Sequence, residues 1–253
     1  MQFSANLGFL WTDRPLPDAI RAAKAAGFDA VEFHWPYDTP AEEVLAALNE
    51  TGLRMLGLNG RRGNVAEGEN GLTALIGRDE EARAAIDEAL AYANHLGTPY
   101  VHIMAGFANG DAAHRTYVEN LRYASGKAAP LGITILIEPL NKYDAPGYFL
   151  STTGQALAII EEIGAPNLKL MFDCYHVQLM EGDLSHKLAD LLPHIGHIQF
   201  ASVPDRGAPD HGEVNYAHIF KRIGELGWQT PLGAEYKPMG DTDATLGWLK
   251  NLR

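Results

Sequence analysis

The 253 residues suit one closed α/β barrel or two smaller domains, and with 46% hydrophobic and 21% charged residues they can bury a sizeable core. The formal net charge of −12 disfavours nucleic acid and anionic membrane surfaces as partners, because phosphate binding needs concentrated Lys and Arg. The single cysteine, Cys174, excludes an internal disulfide, no secretory pattern opens the chain and no apolar run approaches the about 20 residues of a membrane span, so a cytoplasmic location is expected.

Residues 2–7 read as a first strand. Pro15-Leu16-Pro17-Asp18 opens a helix with Leu16, Ile20 and Ala23 on its apolar face, and Gly27 stops it. Asp29 to His34 is the second strand, broken by Trp35-Pro36-Tyr37. Thr39-Pro40-Ala41-Glu42 predicts a capped helix start, with Thr39 and Glu42 forming a capping box; Gly52 ends that helix. Arg54 to Leu58 is the third strand. The stretch from Asn59 to about Arg78, rich in Gly and Asn between two clear elements, reads as a loop that covers a site, its plain alternative being a mobile surface loop with no role.

Asp79 to Leu96 is helical, striped by Ala82, Ile86, Ala89, Leu90 and Ala93. Tyr100 to Met104 is the fourth strand, followed by a helix from about Asp111 to Leu131. The fifth strand, 133–138, is an unbroken apolar run ending in Glu138, with Pro139 closing it. Thr152-Thr153-Gly154-Gln155 offers a second capping box. Strand six is 169–173, a helix runs from Asp183 to about Leu192, and strand seven is 196–200. A helix starting near Asn215, strand eight at 231–235 and a last helix after Asp241 complete the chain.

Strand and helix alternate eight times without a linker or a shift in composition. Such alternation means parallel strands joined by right-handed crossovers, and eight units close a barrel. A doubly wound open sheet would carry a Gly-rich phosphate turn after its first strand, which Asn6-Leu7-Gly8-Phe9-Leu10 is not. The expected fold is a single (β/α)8 TIM barrel, one domain over residues 1–253.

In such a barrel the C-terminal strand ends converge on the face that carries the active site. Glu138, Asp173, Gln199 and Glu235 end strands five to eight. Three carboxylates and an amide carbonyl are hard oxygen donors that suit one divalent cation, Mg²⁺ or Mn²⁺ rather than Zn²⁺. Without a cation, carboxylates gathered so closely repel one another. His176, three residues after Asp173, is a candidate to bind substrate or orient a ligand; its plain alternative is a satisfied loop histidine. Arg206 and Lys237, just past strands seven and eight, are cations at the mouth of an acidic protein, placed to hold an anionic substrate or to neutralise a neighbouring acid. His34 and His102 end strands two and four and either face the pocket or pack. Cys174 has no histidine or helix start beside it and reads as buried and inert.

Phe3-Ser4-Ala5-Asn6-Leu7, Val31-Glu32-Phe33, Ile137-Glu138-Pro139, Phe172-Asp173-Cys174-Tyr175-His176, Gly196-His197-Ile198-Gln199 and Glu235-Tyr236-Lys237-Pro238 together resemble the hydroxypyruvate isomerase family of xylose-isomerase-like TIM barrels. The resemblance spans nearly the whole chain. It implies that Glu138, Asp173, Gln199 and Glu235 hold the metal, Mg²⁺ first and Mn²⁺ second, and that Glu138 and Glu235 are also the catalytic proton-transfer pair. The implied substrate is a small hydroxy-oxo acid or sugar, most directly hydroxypyruvate converted to tartronate semialdehyde. Two segments depart from the family's pattern: Asn59-Gly60-Arg61-Arg62-Gly63-Asn64 replaces a Leu-Pro-Ala-Gly-Asp type of run, and Ala201-Ser202-Val203-Pro204 lacks an Asp and Asn before the proline. Both line the substrate side, which leaves 2-oxo-tetronate isomerisation, ketose 3-epimerisation, dehydration of a cyclic polyol ketone and non-catalytic sugar-acid binding as alternatives. The sequence leaves monomer and homo-oligomer equally open.

Overall fold

A computed structural model describes residues 1–252. The strands are β1 (Phe3–Asn6), β2 (Ala30–Glu32), β3 (Arg54–Met55), β4 (Gly57–Asn59), β5 (Tyr100–His102), β6 (Thr134–Ile137), β7 (Leu168–Asp173), β8 (Ile195–Phe200) and β9 (Leu232–Ala234). They form one parallel sheet in the order β3-β2-β1-β9-β8-β7-β6-β5-β4. Its two ends are the same strand. Leu56 alone separates β3 from β4, donating its N–H to the Val31 carbonyl at 2.8 Å and accepting from Tyr100 N–H at 3.1 Å. The predicted third strand therefore pairs on both sides, and the expected eight-stranded barrel closes.

The helices are α1 (Leu16–Ala26), α2 (Ala41–Thr51), α3 (Asp79–Leu96), α4 (Gly110–Ala128), α5 (Thr153–Ile163), α6 (Cys174–Met180), α7 (Leu184–Leu191), α8 (Tyr216–Glu225) and α9 (Gly247–Asn251). Of the capping box expected at Thr152 the cap bond forms, Gln155 N–H donating to Thr152 Oγ1 at 3.2 Å, while the Gln155 side chain accepts from Ser151 N–H at 3.1 Å, one residue before the cap. The one expected at Thr39 does not. Pro40 takes the cap position in extended conformation and the helix begins at Ala41 with no side-chain cap. A second difference is α6, which follows β7 without a loop because Asp173 ends the strand and caps the helix at once, Oδ1 accepting from Tyr175 N–H at 2.9 Å. Cys174 thus stands at a helix start after all, yet burial pushes its thiol well above the ordinary range, so it stays inert.

The layer between the strands and helices α8 and α9 is aromatic. Phe3 packs edge-on against Trp248 and Phe200, with Phe220 against both phenylalanines. Toward the C-terminal strand ends the interior turns polar, with Asn6, Glu32, His102, His197 and Gln199 all buried. None of the described helices is long and apolar enough to cross a membrane.

Candidate active site

Glu138 follows β6, Asp173 ends β7, Gln199 lies in β8 and Glu235 follows β9, so adjacent strands deliver all four. Ligand atoms of Glu138, Asp173, His176 and Glu235 lie within 4.8 Å of one another, all buried. These side chains can hold a metal ion. Glu138, His176 and Glu235, with His34, Trp35, Asn59 and Arg206, line a cavity of about 170 Å³, and Asp173 lies buried behind its wall. The long loop after β4 supplies Asn70 to the same wall and is tied down rather than free: Trp35 Nε1 donates to the Gly60 carbonyl at 3.1 Å and the Arg62 guanidinium lies 3.7 Å over the Trp35 ring.

The acids are unequally supported. Glu235 accepts at Oε1 from Asn6 Nδ2 (3.0 Å) and faces His34 Nε2 (2.8 Å), while Oε2 accepts from Arg206 Nη2 at 2.6 Å. Burial pushes its carboxyl up, but Arg206 and then His34 overcome this and hold it well below the usual carboxylate range. Glu138 Oε1 and Asp173 Oδ2 are buried without hydrogen-bond partners. Burial, reinforced by Glu235 and Asp173, drives Glu138 far above the ordinary range. Burial and Glu235 likewise raise Asp173 to about 8. Orphaned carboxylate oxygens converging in a dry site are expensive unless protons or a cation meet them.

The histidines divide by their partners. His176 Nδ1 accepts from the backbone N–H of Asn141 at 3.0 Å. A backbone N–H can only donate, so the ring proton of neutral His176 belongs on Nε2, which lies 3.7 Å from Asp173 Oδ2 and 3.9 Å from Glu138 Oε1. Burial, then Arg206, lowers its pKa to about 3, keeping the ring neutral. His176 therefore offers the site a donor, although its position alone would admit it as a ligand. His34 lines the cavity against Glu235. His102 is buried with both ring nitrogens unpartnered, Nδ1 3.5 Å from Glu138 Oε2, and burial lowers its pKa to about 3.

The two expected cations part company. Arg206 lines the cavity, bonds Glu235, and approaches Asp144 (3.6 Å) and Asp173 (3.7 Å); its Nε is buried and unpartnered. The Lys237 side chain is exposed and is not among those lining the cavity, and only its backbone N–H reaches Arg206, donating to that residue's carbonyl at 2.7 Å. Gln199 donates from Nε2 to Glu32 Oε1 at 2.7 Å, and its Oε1 is buried and unpartnered.

Sequence reading gave no role to Glu32, Asn6, Asp144 or Trp35. Glu32 carried a usable signal, an acid ending an apolar strand like Glu138, Asp173 and Glu235; Asp144 and Trp35 sit in loops whose direction no local pattern fixes.

The profile of the xylose isomerase-like TIM barrel family matches residues 20–252. A 2-oxo-tetronate isomerase from Cupriavidus necator is 46% identical over 98% of this chain and 97% of its own. The hydroxypyruvate isomerase of Escherichia coli is 39% identical, with both chains covered in full. A crystal structure described as an AP endonuclease, family 2, from Brucella melitensis superposes with a TM-score of 0.96 at 39% identity, covering 100% of this chain and 99% of that one. The chain belongs to the xylose isomerase-like TIM barrel family.

Proposed function

We propose that this protein is a metal-assisted isomerase of short hydroxy-oxo acids, converting hydroxypyruvate to 2-hydroxy-3-oxopropanoate (tartronate semialdehyde). The observation that carries the reading is the convergence of Glu138, Asp173 and Glu235 beside a small cavity that Glu138, Glu235 and Arg206 line.

Glu138, Asp173, Glu235 and the carbonyl oxygen of Gln199 would hold one divalent cation, Mg²⁺ before Mn²⁺ because every donor is a hard oxygen. The unpartnered buried oxygens of Glu138, Asp173 and Gln199 fit such a group. The cation would polarise the substrate's carbonyl and hydroxyl oxygens and offset the charge that develops on them. The reaction moves a hydrogen from C3 to C2 and a proton from the C3 hydroxyl to the C2 oxygen, so it needs no oxidant. Glu138 and Glu235 are the residues assigned to take and return the carbon-bound proton. His176 Nε2–H donates to a substrate oxygen, His34 keeps Glu235 oriented, and Arg206, with a spare donor at Nε, meets the carboxylate.

A second reading, isomerisation of a 2-oxo-tetronate, is favoured by the greater identity to the Cupriavidus necator enzyme. It uses the same residues on a chain one carbon longer. Cleavage of DNA is disfavoured by the net charge of −12. The test is an assay of purified protein with hydroxypyruvate, 2-oxo-tetronates and neutral ketoses, before and after chelation. Turnover of an acid that chelator abolishes and Mg²⁺ or Mn²⁺ restores is expected; turnover of ketoses alone would replace this reading with an epimerase.

A further inference from the structure

Glu32 ends β2 inside the barrel, 3% exposed, and is not among the residues lining the proposed substrate cavity. Its Oε1 accepts from Gln199 Nε2 at 2.7 Å and from Asn6 Nδ2 at 3.1 Å; its Oε2 lies 2.7 Å from His197 Nε2. Asn6 Nδ2 also donates to Glu235 Oε1 at 3.0 Å, so one amide joins Glu32 to the site. Gly233 makes room for the arrangement: a Cβ there would lie 2.6 Å from Glu32 Oε1 and 2.8 Å from Gln199 Cγ.

A primary amide has two chemically opposite ends on nearly the same shape. Only the oxygen can serve a cation, and an amide turned the other way would present N–H groups to it. Nothing in Gln199 itself decides between the two orientations. A carboxylate acceptor on one side decides it, because Nε2 must face Glu32 and Oε1 is then left as the buried, unpartnered end. We propose that Glu32 is a positioning residue that fixes the Gln199 amide with its carbonyl oxygen available to a divalent cation. The inference rests on Gln199 belonging to the proposed metal set.

The experiment is a calorimetric titration of metal-free full-length protein with Mn²⁺, accompanied by metal-free melting curves. Wild type is compared with Gln199→Ala, Glu32→Gln, Gln199→Glu and the swap that combines the last two. Losing an outer partner of a ligand typically weakens metal affinity about ten- to a hundredfold, and that loss is expected for Glu32→Gln. Gln199→Glu sets two acids in contact and is expected to lose affinity too. The swap keeps one acid and one amide across the same contact with the donor reversed, while Asn6 retains Glu235 as an acceptor. Affinity in the swap is therefore expected to return to within roughly threefold of wild type, a coupling that independent losses would not show. Wild-type affinity in Glu32→Gln alongside a loss in Gln199→Ala would overturn the inference. So would a swap as weak as its singles combined, because a merely structural role gives no rescue. Absence of Mn²⁺ binding in wild type itself would instead remove the metal reading, and this inference with it.

Discussion

Arg206 reaches Glu235 with a 2.6 Å hydrogen bond from a backbone held at φ 57°, and Lys237, two residues beyond Glu235, clasps the Arg206 carbonyl with its N–H. The left-handed conformation is uncommon for a residue with a Cβ and persists where surrounding bonds over-determine it. The loop after β8 and the strand end after β9 thus hold each other, and the guanidinium is committed to the acids before any substrate arrives. Lys237 contributes its backbone where the sequence pointed to its charge.

Arg206→Ala is expected to act in two separable ways. Loss of a charge-assisted bond to a substrate carboxylate should reduce kcat/KM for a hydroxy-oxo acid about ten- to a hundredfold more than for a neutral ketose, or roughly 1.5–3 kcal/mol. Removing the cation that holds Glu235 low should also let burial raise that carboxyl, shifting the acidic limb of the rate profile to higher pH for every substrate. Equal losses on acid and ketose would make Arg206 a support for Glu235 alone.

Glu138→Gln and Glu235→Gln should each lower turnover by about a hundredfold or more, the usual worth of a positioned proton-transfer group. Melting temperature separates chemistry from folding. Glu138 has no hydrogen-bond partner at Oε1, so its amide variant should fold at least as stably as wild type in the absence of metal. A near-wild-type rate in either variant would remove that residue from the mechanism.

The barrel and its acid-tipped strands were legible because they depend on local signals: apolar runs closed by a polar side chain, and helices bounded by Gly27, Gly52, Gly97 and Gly164 in left-handed conformation. What escaped depends on geometry between distant segments. Glu32 meets His197 and Gln199 across 165 and 167 residues of chain. Helix α6 is only seven residues long and shares Asp173 with the strand before it, so no gap announces it. At Thr39 the sequence pattern of a capping box was present, but Pro40 and the turn closed by Thr39 N–H to the Pro36 carbonyl won the local competition. Arg206 and Lys237 look alike as loop cations, and only the fold turns one inward and the other out.

His176 tests whether position or hydrogen bonding decides a ligand. If Asn141 N–H fixes the Nδ1 acceptor, as the 3.0 Å bond implies, Nε2 carries the proton and cannot bind a cation. His176→Ala should then leave Mn²⁺ affinity within roughly threefold of wild type while depressing kcat/KM, whereas Asp173→Ala should abolish binding. A large loss of Mn²⁺ affinity in His176→Ala would show that the ring ligates the metal and that Nδ1 gives up its bond to do so.

The last expectation concerns pH. In metal-free protein burial raises Asp173 from its ordinary 3.8 to about 8, and raises Glu138 as well. Between those limits the folded state holds protons that the unfolded chain has released, so stability falls as pH rises and levels off only above the folded value. His102 and His176, lowered to about 3, act in the opposite sense, but their slope ends once the unfolded histidines have lost their protons near the ordinary 6.5. Glu235, held low, is ionised in both states throughout this range and adds no slope. From about pH 7 to about pH 9 the carboxyls therefore govern, and the melting temperature in chelator should decline. Mg²⁺ or Mn²⁺ competes with those protons, so the stabilisation it brings should grow across the same window. Melting curves at fixed excess cation and in chelator measure both slopes. A metal-free protein equally stable at both ends, with a pH-independent gain from cation, would mean that the orphaned oxygens of Glu138 and Asp173 carry no protons for a metal to displace.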